Sequence, residues 1–212
     1  MNNTIRTNDF TEIMTGRRSI RQYDPNVKIS KEEMEEILTE VTLAPSSINL
    51  QPWRFLVIDS EEGKNTLAPL TEFNKTQVDT SSAMIAIFGD LQHADNAEEI
   101  YGKAVELGSM PAEVKERQMG IIEGYTATVP QEVLRDIVLV DGGLVAMQLM
   151  LVARAHGYDT CPIGGYDKAN IAEAFGLDKE RYVPVMLVSI GKAADKGYKS
   201  VRLPVEKVAE WK

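Results

Sequence analysis

Cysteine and histidine are nearly absent from this sequence, and each scarcity closes off a class of chemistry. The 212 residues include one cysteine, Cys161, and two histidines, His93 and His156. A lone cysteine cannot form an internal disulfide, which suits a reducing compartment and predicts a cytoplasmic location. With no HExxH, no CxxC and the two histidines far apart, no metal site is expected. The glycine-rich nucleotide loops are missing as well. No GxxxxGKS/T occurs, Gly63-Lys64 and Gly191-Lys192 being only its last two letters, and no GxGxxG or GxSxG. P-loop, Rossmann and α/β-hydrolase readings therefore fail. Basic residues are in deficit, 23 Lys plus Arg against 32 Asp plus Glu, for a net charge of −9. Nucleic acid and acidic membrane surfaces would be repelled overall, so neither is an expected partner. Residues 1–10 show no apolar h-region and no small-residue cleavage site, so no secretory signal is expected.

Long apolar runs are scarce too; the one stretch resembling a membrane span is Ile137 to Ala155, and Asp141 and Gln148 fall where a bilayer would be deepest. A charge there is costly. The stretch instead predicts a helix covered by protein on all sides, within the chain or between two copies.

No linker, repeat or low-complexity tract divides the chain, and at this length about 70% of the unfolded surface can be buried in one domain. Residues 1–212 are read as that single domain. A first helix is expected from about Asp9, with Phe10, Ile13 and Met14 on one face and Gly16 ending it. The clearest helix follows Ser30, where Ser30 and Glu33 make a capping-box pattern and Met34, Ile37, Leu38 and Val41 recur at helical spacing until Pro45. Strands are expected at Trp53–Ile58, Ala83–Phe88, Tyr158–Ile163 and Val185–Ile190, and helices at Glu61–Leu70, from Asp167 to Phe175, and from Gln131 to His156 before Gly157. Residues 94–128 read as a polar helical excursion and 191–212 as an irregular C-terminal arm. The class is α+β or α/β with a mixed sheet.

Three clusters could carry chemistry. Arg17, Arg18 and Arg21 fall within five residues of an acidic protein. Arginine's planar fork suits an anion, and a solvated basic turn would look the same. The segment Ala44-Pro45-Ser46-Ser47-Ile48-Asn49-Leu50-Gln51-Pro52-Trp53 packs hydroxyls and amides between two prolines, as ligand loops do and as plain corners do. In Cys161-Pro162-Ile163-Gly164-Gly165-Tyr166 the paired glycines would let backbone approach a flat ligand, or make a tight turn. Cys161 itself reads as a small packed residue at a strand end rather than a nucleophile.

Taken in register, RRSIRQY, PSSINLQPW, Phe73-Asn74, the long helix, PIGGY and the late Arg202-Leu203-Pro204 make the chain resemble the FMN-dependent, oxygen-insensitive NAD(P)H nitroreductases nearly end to end. The resemblance implies a three-layer α-β-α sandwich with a mixed, mainly antiparallel sheet and a long central helix. It also implies a homodimer with FMN at the subunit interface. By motif, Arg17, Arg18 and Ser19 would hold the phosphate and ribityl end, with Arg202 and Lys199 from the arm. Arg21 would sit at the N1/O2 edge and Asn74 at the pyrimidine side. Pro162, Ile163, Gly164 and Gly165 would cover one ring face and reach N5. Pro45, Ser46, Ser47 and Asn49 would line the pocket from the partner subunit. Well-studied members carry Glu where this sequence has Gly164, although glycine there also occurs in the family. The implied reaction is ping-pong hydride transfer through flavin N5, from NAD(P)H to nitroaromatic or quinone-type acceptors. An enal reductase, dehalogenase or flavin reductase on the same fold, or a non-catalytic FMN-binding protein, are the alternatives. The excursion, read as lying on the surface, would be a lid over the open flavin face, and its Tyr101, Met110, Met119 and Tyr125 are expected either to shape an acceptor pocket or to pack the excursion onto its own core.

Overall fold

In the computed structural model, which describes residues 6–212, the most continuously apolar strand lies inside the sheet. The opening residues 1–5, part of the segment read for a secretory signal, lie outside the described residues. The strands are β1 (Trp53–Ile58), β2 (Ala83–Asp90), β3 (Asp159–Ile163) and β4 (Tyr182–Gly191), ordered β1-β2-β4-β3. Every residue of β2 is buried, as a strand covered on both faces requires. Alternation then sorts its side chains. Ala83, Ile85 and Ile87 enter one core with Val145, Leu149, Val185, Val188 and Ile190, whereas Met84, Ala86 and Phe88 enter another with Leu67, Val78, Cys161, Ile171 and Leu187. Helices α2 (Lys31–Val41) and α7 (Gln131–Ala155) cover the first face. Helices α3 (Glu61–Leu67), α4 (Lys75–Thr80) and α8 (Ile171–Ala174) cover the second. The three layers are those of the expected α+β sandwich.

All three strand pairings are antiparallel, and the parallel component of the sheet is one isolated bridge between Ser19 and Thr160. β4 begins three residues before its expected start because Pro184 sits where the register shifts between Ile87 and Phe88, a bulge that tolerates a residue without an N–H. Asp167 caps a turn rather than a long helix: its carboxylate accepts from the Ala169 and Asn170 N–H groups, and α8 is only four residues long. Ser30 caps α2 by accepting from the Glu33 N–H, but the Glu33 carboxylate accepts from the Tyr158 hydroxyl at 2.7 Å, so the reciprocal half of the capping box is given up for a tertiary contact. α4, preceded by a 3-10 turn, carries no apolar periodicity and was not anticipated.

α7 is long and apolar enough to cross a membrane by length and composition, and half of its most apolar window is buried in the protein. Val138, Asp141, Gly142, Val145, Leu149 and Ala153 face the chain's own core, so the helix is not apolar to solvent all round. A narrower stripe remains open: Val140, Leu144 and Met147 are 64%, 44% and 41% exposed. β2 approaches α7 closely at Gly89, where an added Cβ would lie 2.6 Å from the Val138 side chain. Between α5 (Ala97–Glu106) and α6 (Ala112–Thr126) lies a satellite core of Ala97, Tyr101 and Ile122, joined by Leu50.

The end of the sheet remote from the arginine cluster is pinned by a buried carboxylate. Asp90 is fully buried and accepts from Arg181 Nε and Nη2, both at 2.8 Å, while Arg54 Nη2 lies 3.1 Å away and the Gln92 N–H donates to it as well. Losing one partner of such a buried pair costs about 3–5 kcal/mol. Both arginines retain some water contact, so Asp90→Asn is expected to lower stability by about 3 kcal/mol. The measurement is the urea midpoint at unchanged m-value; a shift under one third of that size would show that solvent already screens the cluster.

Candidate active site

The basic segment after α1 (Phe10–Gly16) is held to the sheet by backbone pairing. The Ile20 N–H donates to the Thr160 carbonyl at 3.0 Å beside the Ser19–Thr160 bridge. Tyr23 is buried; its hydroxyl donates to the Ile20 carbonyl at 2.7 Å and lies 2.8 Å from Ser189 Oγ. Burial pushes this phenol's pKa far up, so it stays an O–H donor. The arm starts on the same segment: Asp24 donates its N–H to Lys192, Ala194 donates to Gln22, and Tyr23 bridges Ala193. At Gly197 (φ 61°) the arm turns back, and an added Cβ would lie 2.9 Å from Ile20 and 3.1 Å from Arg18. Only glycine suits both that conformation and that approach.

The result is a cavity of about 200 Å³ lined by Arg17, Arg18, Ser19, Arg21, Tyr198, Lys199, Ser200 and Arg202. No carboxylate lines it, and among the described residues none of its five cations has a carboxylate partner. In a chain of net charge −9, so many unneutralised cations in one concavity form an anion site. Arg18 is steadied by donating from Nη1 to the Thr15 and Arg17 carbonyls at 2.8 and 2.7 Å.

Arg21 and Tyr198 also line a second cavity, of about 710 Å³, so the two share a wall. Its other lining residues include Phe73, Asn74 and Gln77 from the α4 region, and Cys161, Pro162, Ile163, Gly164 and Gly165 from the end of β3. The Asn74 side-chain amide donates to the Gly165 carbonyl at 3.1 Å, and Gln77 donates to Asn74 Oδ1 at 3.2 Å. An added Cβ at Gly164 or Gly165 would meet nothing within 4 Å. The protein's own packing therefore does not demand glycine at either position; bare backbone there leaves room for a planar group to lie close. Burial pushes the Cys161 thiol's pKa up, with Arg21 opposing it, so it is no ready thiolate nucleophile.

The structure thus brings together Arg17, Arg18, Ser19, Arg21, Asn74, Pro162, Ile163, Gly164, Gly165, Lys199 and Arg202. Pro45, Ser46, Ser47 and Asn49 line neither cavity. They belong to a loop with three non-glycine residues at positive φ, Ile48 (44°), Asn49 (57°) and Gln51 (49°). Such conformations cost about 1–3 kcal/mol each, least for Asn. The loop is held by Asp141, whose buried carboxylate accepts from the Ser47 N–H at 3.1 Å. Burial raises the pKa of Asp141, and the Ser47 N–H and hydroxyl hold it back. Of the excursion residues, Tyr101 is buried and Met110 and Met119 pack on the satellite core, while Tyr125 is exposed. Tyr198, Ser200 and Gln77 were missed. Their signal was position alone, Tyr198 beside Lys199 and Gln77 one helical turn beyond Asn74.

Comparison with known proteins identifies the family. The model of the family described as "Nitroreductase family" matches residues 14–192. The chain is 71% identical over 208 residues to the Bacillus subtilis (strain 168) protein named "Putative NAD(P)H nitroreductase YdgI", covering 98% of this chain and all of that one. It is 38% identical over 196 residues to the "CLA biosynthesis enone reductase" of Lactiplantibacillus plantarum, covering 92% and 90% of the two chains. A crystal structure from Exiguobacterium sibiricum 255-15, described as "a putative nitroreductase in complex with FMN", superposes with a TM-score of 0.95 at 67% identity, over 97% of this chain and 98% of that one. A cationic cavity walled by the same Arg21 and Tyr198 as a glycine-floored slot, on this three-layer frame and with these matches, leads to one assignment: the chain belongs to the nitroreductase family.

Proposed function

We propose that this chain is an FMN-dependent oxidoreductase that takes electrons from NAD(P)H and passes them to nitroaromatic or quinone-type acceptors, as a cytoplasmic homodimer with its flavin at the subunit interface. One observation carries the reading: the unneutralised cationic cavity and the glycine-floored cavity meet at Arg21 and Tyr198. A flat ring joined by a short chain to a phosphate needs such a pair of compartments, and the residues present fit FMN. Arg17, Arg18, Ser19, Lys199 and Arg202 would hold the phosphate and ribityl end, bidentate forks being suited to phosphate. Arg21 would face the N1/O2 edge and Asn74 the pyrimidine side, with Pro162, Ile163, Gly164 and Gly165 along the ring and N5. Pro45, Ser46, Ser47 and Asn49 would come from the partner.

When bound, FMN supplies two-electron hydride chemistry, accepting from NAD(P)H at N5 and passing on to the acceptor in a ping-pong cycle. The chain's own groups orient and tune. Gln77 holds the Asn74 amide in place. Arg21 would present a positive charge where negative charge gathers on reduction. The buried Cys161 stays a thiol, and as a free thiol it supports a reducing compartment. Dimerisation is supported by the open stripe of Val140, Leu144 and Met147 on α7 and by the arm, where Val201, Leu203, Val208 and Trp211 are all exposed. A second acceptor class, conjugated enones, is favoured by the enone reductase relative and by the open space over Gly164.

The purified protein is expected to be yellow with equimolar FMN, and to oxidise NAD(P)H with a nitroaromatic or a quinone; a colourless preparation that takes up no FMN on titration overturns the reading. Running a nitroaromatic, a quinone and an enone side by side decides the acceptor class.

Arg21→Gln is expected to retain FMN, because the other four cations are intact, yet to lower its midpoint potential and slow its reduction. Loss of one preorganised partner costs about 10²–10³ in rate, and Arg21 is exposed, so about 100-fold is expected in stopped-flow mixing with NADH or NADPH. If an Arg17 or Arg18 substitution is slow and Arg21→Gln is not, the arginines are assigned to the wrong ends.

For the dimer, Leu144→Glu should place an unpaired charge in the interface at a cost of several kcal/mol, releasing monomers and flavin together. Sedimentation at matched concentrations reads this out, and a monomer with full flavin content contradicts it.

A further inference from the structure

The loop that lines neither cavity holds every non-glycine residue at positive φ among the described residues. Its ends are buried at Ala44 and Leu50, while Ser47, Ile48 and Asn49 at its tip are exposed. An exposed tip gains nothing from its own packing that would offset three left-handed residues, one of them β-branched. What holds it comes from elsewhere in the fold. Asp141, in the middle of α7, accepts from the Ser47 N–H with both carboxylate oxygens, at 3.2 and 3.1 Å, and from the Ser47 hydroxyl at 3.4 Å. The Tyr101 hydroxyl from α5 donates to the Ile48 carbonyl at 2.7 Å, and the Asn96 amide donates to the Leu50 carbonyl at 3.0 Å. The Gln51 N–H closes the turn onto Ser46 Oγ at 3.0 Å. Asp141, Tyr101 and Asn96 each grip loop backbone, and Ser46 and Ser47 add their hydroxyls, so the turn is held at four points.

The placement of Asp141 is informative. It follows Val140 directly and lies one turn before Leu144, two residues of the open stripe on α7. A carboxylate that is 2% exposed is an expensive way to fill a core position, since an apolar side chain would fill it at less cost. What it supplies instead is a backbone acceptor that couples the loop to the helix carrying the stripe.

We propose that Asp141 and Tyr101 are positioning residues that act across the subunit boundary. By locking residues 46–51 of one protomer in the left-handed turn, they shape the wall of the flavin site that belongs mainly to its partner. This rests on the reading of Pro45, Ser46, Ser47 and Asn49 as the partner's contribution. It also gives α5 a task in the excursion: the Tyr101 ring packs with Leu50 in the satellite core while its hydroxyl holds the loop.

The test uses the full-length dimer. Asp141→Ala is expected to weaken FMN binding about 10–100-fold, the range for removing a hydrogen bond to a charged group, and Asp141→Asn, which keeps one acceptor for the Ser47 N–H, to recover part of it. Tyr101→Phe, which keeps the ring, is expected to weaken binding a few-fold. The deciding measurement is a mixed dimer purified through two tags, one chain carrying Asp141→Ala or Tyr101→Phe and the other carrying Arg18→Ala with Arg202→Ala. Acting in trans, both lesions fall on one site, and the other site binds FMN with the parent's affinity at one flavin per dimer. Acting in cis, the surviving site is weakened as in the single variant, and that result overturns the proposal. Should Asp141→Ala fail to fold, the Tyr101→Phe mixed dimer gives the same two outcomes. A folded, dimeric Asp141→Ala that binds FMN like the parent also overturns it. A parent that takes up no FMN, or is a monomer, overturns the reading of the site and this proposal with it. A parent that is a flavin dimer with cis-acting lesions overturns the proposal alone.

Discussion

The arrangement of the site depends on one buried phenol. Tyr23 donates to the Ile20 carbonyl and meets Ser189 on β4, fixing the segment that carries the arginines against the sheet. The same segment pairs with β3 on one side, through Ile20 and Thr160, and with the arm on the other, through Gln22, Asp24 and Ala194. Without that anchor, five like charges would have no reason to converge. Mutual repulsion would spread them, and water would screen them well enough where they went. Packing energy from an uncharged side chain holds together a cationic cavity that electrostatics alone would open. The depth of Tyr23 also keeps the phenol un-ionised, so no phenolate forms beside the arginines to neutralise them.

Chemistry left a clearer trace in the sequence than architecture did. Arg17, Arg18 and Arg21 stood out because an acidic chain rarely places three arginines in five residues, and they line the cavities. Gly164 and Gly165 stood out because paired glycine has few uses. Pairing with the arm could not be read, since it is made of backbone hydrogen bonds that any side chain permits; so Tyr198 and Ser200 were invisible although Lys199 and Arg202 were not. β2 announced itself by its apolar run, whereas the start of β4 was hidden by Pro184, a residue a strand accepts only at an irregularity whose existence depends on the neighbouring strand. α4 was hidden for the opposite reason. It is short and largely polar, and its one buried apolar residue, Val78, joins the second core through contacts that no local periodicity marks.

The motif Pro45–Trp53 shows a different limit. Its residue types pointed to a functional loop, yet it lines neither cavity of the candidate site, and Gln51 and Trp53 open instead on a separate cleft with Asn96 and Ile100. Nothing in a linear sequence marks whether a loop serves its own subunit or another. Strain is what the structure adds: Ile48 sits at φ 44° with its side chain in solvent, and the turn is held in that shape by Asp141, Tyr101 and Asn96 from other elements of the chain. The excursion, read from its polarity as a cover lying on the surface, is bonded to that loop at Tyr101 and Asn96. Any motion of α5 therefore bears on the loop's backbone.

The charge distribution of the cavity has a consequence for how the phosphate-bearing cofactor arrives. The net charge of −9 already includes the cavity's five cations, so the remaining surface is more acidic still. Five of the chain's 23 Lys and Arg residues converge on this one concave mouth without a carboxylate partner among the described residues, which makes it a local positive patch on an acidic molecule. A phosphate-bearing flavin approaching from a random direction is repelled until it comes within a screening length of that mouth, about 10 Å at 0.1 M salt. Inside it, the field focused by the low-dielectric walls draws the ligand in. Added salt then has two opposing effects on encounter. It weakens the repulsion that turns ligands away from most of the surface, and it weakens the local attraction that captures them, so the association rate passes through a broad, shallow dependence on ionic strength rather than the steep fall of a uniformly basic protein.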